Sequence, residues 1–161
     1  MSPFDPERIV RALAARRVRY VLIGATAARL QGFPRVTADA DITPAPEAEN
    51  LERLAHALRD LRARVYTTSV PEGLAFDCDG PSLARGRMWN FITDAGRLDV
   101  ILEPSGTRGY EDLAGSALTY ELFGAEVRAA SLADILRSKQ ALNRPQDQQD
   151  AIILREMLKR G

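Results

Sequence analysis

Three aspartates are the residues around which chemistry can be built. Asp39 and Asp41 lie two apart in Ala38–Thr43, a run whose residue types predict a strand. Strand side chains alternate, so both carboxylates point to one face with Cα atoms about 7 Å apart, while Ala40 and Ile42 point the other way. Two like charges fixed on one face repel unless a cation lies between them. Asp99 interrupts the apolar run Leu98-Asp99-Val100-Ile101-Leu102. A carboxylate inside a buried strand is costly unless it is paired or bound to metal. A neighbouring antiparallel strand would bring it beside Asp39 and Asp41. Three such carboxylates can hold two metals about 3.5–4 Å apart, as in-line phosphoryl transfer requires. Mg²⁺ suits them, because it takes oxygen ligands and shares its shell with phosphate substrates. Alone, an Asp-x-Asp is usually a solvated surface or turn acid, and Asp99 alone is more often an edge-strand charge than a ligand. Their combination with Gly24 carries the weight.

Gly24 closes an apolar, β-rich run, Arg19 to Ile23, and precedes Ala25 to Leu30, which favour helix. A residue without Cβ at that turn lets a phosphate approach the backbone at the positive end of the helix dipole. A plain strand–helix turn is the alternative.

These residues need elements to position them. Asp5-Pro6 predicts an N-cap followed by proline at the first helical position, and Ile9, Val10 and Leu13 share one face of a helix reaching about Arg17. Glu47 to Leu61 has Leu51, Leu54, Leu58 and Leu61 at helical spacing. Arg64 to Thr68 reads as a strand, and Val70 to Arg85, rich in Gly, Pro and Asp, as loop. Trp89–Thr93 and Arg97–Leu102 predict a hairpin around Asp94-Ala95-Gly96, and Leu118–Phe123 with Val127–Ala129 another around Gly124-Ala125. Ser131, with Asp134 three residues on, starts a helix. Pro145 to Lys159 forms the last one. The order predicts an α+β fold, a small mixed sheet packed with helices.

The chain has 161 residues, a normal size for one domain, so residues 1–161 are read as a single domain with room for a core. Lys+Arg and Asp+Glu both number 22, a balance that argues against nonspecific coating of nucleic acid while leaving room for a local basic site. Only Lys139 and Lys159 are lysines; arginine's planar fork suits phosphate, although codon bias accounts for much of the preference. No apolar run approaches a membrane span, and Met1 to Asp5 lacks the regions of a signal peptide. With the single cysteine, Cys78, unable to pair internally, a cytoplasmic setting is expected.

Ile23-Gly24-Ala25-Thr26-Ala27 followed by Gly32-Phe33-Pro34-Arg35-Val36-Thr37-Ala38-Asp39-Ala40-Asp41-Ile42 resembles the polymerase-β nucleotidyltransferase superfamily, whose members carry a glycine turn, a helix and an Asp-x-Asp strand in this order. The long gap and the Arg-x-Thr-x-Asp-x-Asp ending are most similar to the abortive-infection toxin branch, AbiEii and MenT-type. Downstream, Phe123 to Val127, Ser131 to Leu136, Lys139, Arg144-Pro145, Asp147 and Asp150 resemble that branch's C-terminal signature. The resemblance spans Tyr20 to Leu154. It implies a polymerase-β-like fold and Mg²⁺-dependent transfer of a nucleoside monophosphate from an NTP to an acceptor hydroxyl. It implies Asp39, Asp41 and Asp99 as catalytic metal ligands, and Gly24, Ala25, Thr26, Arg35, Lys139 and Asp147 around the nucleotide. A toxin role, a tRNA 3′ end as acceptor and a cognate antitoxin would follow from the branch; a protein or small-molecule acceptor is the alternative.

Two departures weaken phosphate contacts. Ala25 stands where the family often has Gly or Ser, and Gln146 where it often has Lys. They support the alternative of a catalytically weak or inactive interaction module on the same fold. Other residues have simpler readings. Lys139 without the resemblance is a solvated helix lysine, and Asp147 and Asp150 are first-turn acids favoured by the helix dipole. His56 reads as surface, Trp89 as core, Arg85 and Arg87 as solvated loop. Cys78 is a poor thiolate because acidic neighbours raise its pKa.

Overall fold

Residues 3–161 are described by a computed structural model; Met1 and Ser2 lie outside the described residues. Helix α1 (Pro6–Ala15) starts where the Asp5 carboxylate accepts from the Arg8 N–H at 3.1 Å, and it buries Ile9, Val10 and Leu13. Strand β1 (Tyr20–Ile23) runs directly into α2 (Gly24–Leu30). Then come β2 (Asp39–Pro44) and α3 (Ala48–Asp60), whose Leu51, Leu54 and Leu58 pack with the α1 residues. They are followed by β3 (Arg64–Val65), α4 (Gly80–Arg85), β4 (Met88–Thr93), β5 (Gly96–Ile101), α5 (Tyr110–Ala114), β6 (Leu118–Leu122), β7 (Ala125–Ala129), α6 (Leu132–Leu142) and α7 (Pro145–Arg160).

Among the described residues seven strands form one mixed sheet in the order β3-β4-β5-β2-β1-β7-β6. The α+β expectation therefore holds. In the centre, Ala40, Ile42, Leu98 and Val100 are buried in the helix-covered core, while the alternate positions Asp39, Asp41, Arg97 and Asp99 are only partly buried. The opposite exposure of alternate residues is what the pleat requires.

Four details differ from the sequence reading. Strand β5 pairs with β2 in parallel, Asp41 beside Asp99, and not antiparallel. The hairpin at Asp94-Ala95 returns the chain so that β5, rather than β4, lies against β2. The stretch read as loop contains α4: Asp79 accepts from the Ser82 N–H at 2.8 Å and Pro81 occupies the first turn, so Arg85 is helical. Those are ordinary start signals, masked by the surrounding Gly and Pro. Strand β3 spans only Arg64–Val65; Val65 also bridges Leu74, and the chain turns between them at Val70–Gly73. Helix α5 lies in a stretch to which no element was assigned.

Candidate active site

The parallel register sets Asp41 directly beside Asp99 and Asp39 beside Arg97. Carboxylate oxygens of Asp39, Asp41 and Asp99 come within 4.8 Å of one another. Asp39 is held from two sides. The Thr26 hydroxyl donates to its carbonyl at 2.9 Å, and the Thr37 hydroxyl lies 2.9 Å from the carbonyl and 3.0 Å from the carboxylate. Burial, with Asp39 and Asp99 adding repulsion, pushes the Asp41 carboxyl up to about 8, and Asp99 is raised chiefly by burial. The carboxylates of Asp41 and Asp99 stand side by side on neighbouring strands. A raised carboxyl pKa means that holding a proton or a cation there is favoured over leaving the negative charge unbalanced.

Asp99 Oδ1 is buried and accepts no hydrogen bond; the nearest cationic atom, an Arg97 terminal nitrogen at 3.8 Å, is an ion-pair neighbour beyond hydrogen-bonding range. A buried acceptor without a protein donor is satisfied by an ordered water or a bound ion. An oxygen-binding divalent cation fits this cluster by charge, by donor type and by that free oxygen.

Gly24 has φ +67°, and a Cβ there would fall onto the Asp41 carboxylate. Glycine is thus needed twice, for a left-handed backbone angle and for contact with the aspartate. Ala25 is buried in the first turn of α2, whose N-cap residue, Ile23, makes no side-chain cap.

A second set of aspartates lies at the start of α7. Asp147 and Asp150 are both about 1 % exposed. The Asp147 carboxylate accepts from the Arg144 backbone N–H at 3.1 Å and from its Nε at 2.6 Å, with Lys139 Nζ at 3.5 Å. Asp150 pairs with Arg35 at 2.7 Å and Lys139 at 2.9 Å, and accepts from Gln146 at 3.0 Å. Burial alone would raise both carboxyls. Hydrogen bonds from Arg144 to Asp147, and from Arg35, Lys139 and Gln146 to Asp150, outweigh it and hold both below the usual range. Lys139 is therefore no solvated lysine: its side chain is only 11 % exposed. Lys139 and Arg144 remain within electrostatic reach of Asp41. Gln146, read from the sequence as a lost phosphate contact, instead supports Asp150.

The remaining residues lie apart from the carboxylates. His56 is exposed on α3, Arg85 and Arg87 are exposed, and Trp89 packs against Phe76 and Phe91 while its Nε1 donates to the Leu83 carbonyl. Burial, with Asp79 and Glu52 adding to it, pushes the Cys78 thiol up to about 11. Two large concavities, about 610 Å³ beside Arg59, Arg62 and Arg64 and about 430 Å³ between α1 and the sheet, are not lined by Asp39, Asp41 or Asp99. Charge and unmet bonding mark the carboxylate face more clearly than volume does. Sequence reasoning gave no role to Thr37, Tyr66 or Arg97. The Thr37-x-Asp39 spacing, a hydroxyl two residues before its acceptor, is a recognisable local signal for the first.

No family model and no curated protein matches this chain, but solved structures do. The lincomycin-bound lincosamide antibiotic adenylyltransferase LnuA superposes with a TM-score of 0.62 at 12 % identity, over 97 % of this chain and 99 % of that one. The antibiotic-resistance factor ANT(2″)-Ia gives 0.57 at 19 % identity, over 94 % of this chain and 79 % of that one. A protein from Thermotoga maritima described as a nucleotidyltransferase gives 0.52 at 18 %, over 99 % and 98 %. At these identities the likeness establishes the fold, which is that of nucleotidyltransferases.

Proposed function

We propose that this chain is a divalent-metal-dependent nucleotidyltransferase, moving a nucleoside monophosphate from an NTP to an acceptor hydroxyl with release of pyrophosphate. The convergence of Asp39, Asp41 and Asp99, with an unpartnered Asp99 oxygen, carries this reading. Asp39 and Asp41 project from one face of β2, and Asp99 from its parallel neighbour, as oxygen ligands. A bound Mg²⁺ would offset charge on the phosphates and lower the pKa of the attacking hydroxyl.

The acceptor oxygen forms a bond to the α-phosphorus as the bond to the bridging β-oxygen breaks, and the electron pair leaves with pyrophosphate. The hydroxyl proton passes to the Asp99 carboxylate. Gly24 keeps α2 against Asp41 without obstructing it. Thr26 and Thr37 fix Asp39 through its carbonyl and carboxylate. Lys139, Arg144 and Arg35 supply positive charge for the nucleotide, with Asp147 and Asp150 as positioning residues that orient them. Asp147 thereby serves the nucleotide through Arg144 and Lys139, not by touching it.

Resemblance to the AbiEii and MenT-type branch supports a toxin role with tRNA 3′ ends as acceptor and a cognate antitoxin as partner; the likeness to a lincosamide adenylyltransferase supports a small-molecule acceptor. A weak or inactive module on the same fold has one observation in its favour: Lys139 already engages two buried carboxylates. Incubation of the protein with Mg²⁺, α-³²P-labelled NTPs and total tRNA tests the reading. Label transferred by wild type and lost in Asp41→Asn supports it. No transfer to tRNA, protein or small acceptors with any NTP favours the module.

A further inference from the structure

Arg97 is the one arginine beside the carboxylates without a settled partner among the described residues. Arg35 and Arg144 each place two nitrogens on a carboxylate. The Arg97 guanidinium makes no hydrogen bond to any described residue, and its Nε is buried without a partner. It lies 4.1 Å over the ring of Tyr66, and its side chain is 33 % exposed. Its nearest acid, Asp99, is 3.8 Å away, and that attraction weakens once the Asp99 oxygens serve a cation.

Its placement separates it from the other cations. Lys139 and Arg144 reach Asp41 from α6 and α7, which lie with α2 on the β1 side of β2. Arg97 is on β5, on the other side of β2, level with Asp39. The carboxylates are therefore flanked by two cationic groups. On the nucleotidyl-transfer reading, the donor phosphates take the side of α2, Lys139 and Arg144. We propose that Arg97, held on Tyr66, is the acceptor's anion subsite, so that the acceptor carries a phosphate near its attacking hydroxyl. This rests on the nucleotidyl-transfer reading. A planar guanidinium offers paired donors that match phosphate oxygens. A polycationic acceptor would meet Arg97 with no acid beside it except the metal ligands.

Calorimetric titrations test the subsite without requiring turnover. The ribodinucleotide ApA, ribose 5-phosphate and adenosine are each titrated into wild type, Arg97→Gln, Arg97→Lys and Tyr66→Leu. Each titration is run with Mg²⁺ alone and with Mg²⁺ plus α,β-methylene-ATP. Wild type should bind a phosphate-bearing probe at least about ten-fold tighter than adenosine, the effect of one charge-assisted contact. Arg97→Gln should abolish that preference, Arg97→Lys should keep part of it, and Tyr66→Leu should weaken it. Affinity for the ATP analogue should change less than about two-fold in all three, within the range of indirect surface effects. Preference for ApA alone identifies a nucleic-acid end, and equal preference for ribose 5-phosphate a free sugar phosphate. Adenosine binding as tightly as either, or Arg97→Gln weakening analogue and acceptor equally, overturns the subsite. If the analogue fails to bind wild type, the transfer reading fails instead, and the Mg²⁺-only titrations still decide whether Arg97 selects phosphate.

Discussion

The two aspartate clusters use one residue type to opposite effect. On the sheet, Asp39, Asp41 and Asp99 are partly buried, crowd one another and have too little positive charge, so Asp41 and Asp99 are raised. On α7, Asp147 and Asp150 are more deeply buried, yet Lys139, Arg35 and Arg144 surround them and both are lowered. Burial of a carboxylate therefore does not mark a cation site. The mark is buried negative charge whose balancing positive charge the chain does not supply. The two clusters also work together, because the cations ordered by the second reach toward the first.

Breaking the α7 cluster should have the largest effect on stability. Asp150→Asn leaves Lys139 and Arg35 without their anion and should cost about 3 kcal/mol, the low end for a broken buried pair because Arg35 is partly exposed. Urea denaturation reads this directly. A cost below about 0.5 kcal/mol, the level of an ordinary surface change, would mean the network is ornamental.

The sheet cluster should respond in the opposite sense. Asp41→Asn should cut transfer by at least about 100-fold, as losing one transition-state-stabilising group does. Its melting temperature in chelator should hold near neutral pH, where the raised Asp41 carboxyl already carries a proton, and rise on the alkaline side, where the amide removes a clustered negative charge. A lowered melting temperature with transfer intact would make Asp41 structural.

Gly24→Ala should cost about 1–3 kcal/mol, since it strains a left-handed position and pushes the Asp41 carboxylate aside. Activity should fall with stability, and a fully active, fully stable variant would remove the argument for glycine.

The smallest effect is one of pH. In chelator, the raised Asp41 carboxyl binds its proton more tightly in the folded chain than in the unfolded one. Its contribution is complete below about pH 4, the ordinary carboxyl value, and is lost as pH rises through about 8. The lowered Asp147 and Asp150 act the other way. Their contribution is present above about pH 4 and is lost as pH falls through their folded values. Melting temperature in chelator should therefore decline on both sides, and Asp41→Asn should flatten only the alkaline side. An unchanged alkaline slope would place the raised carboxyl elsewhere.

Much of this was legible in local sequence. Alternation of Asp39 and Asp41 with Ala40 and Ile42 puts both acids on one face, and Asp5-Pro6 and Ser131 mark helix starts that the structure contains. The unread parts depend on distant residues. Whether β5 runs parallel to β2 is decided by which arm of a hairpin reaches the sheet centre, and no local pattern encodes that choice. The Arg35–Asp150 pair joins residues 115 apart, so Asp150 read alone is only a first-turn acid. Nothing local singles out Arg97: its place over Tyr66, with no bonded carboxylate, depends on residues 31 apart in the chain.

The central claim is that the sheet carboxylates take up a cation together with nucleotide, and calorimetric titration of ATP with Mg²⁺ or with chelator tests it most directly. Wild type should bind ATP at least about ten-fold tighter with Mg²⁺, because the ion shares its shell between carboxylates and phosphates. Asp41→Asn should erase that difference and Asp150→Asn should leave it in place at temperatures where the variant is folded. Equal ATP affinity for wild type with and without chelator would contradict the account.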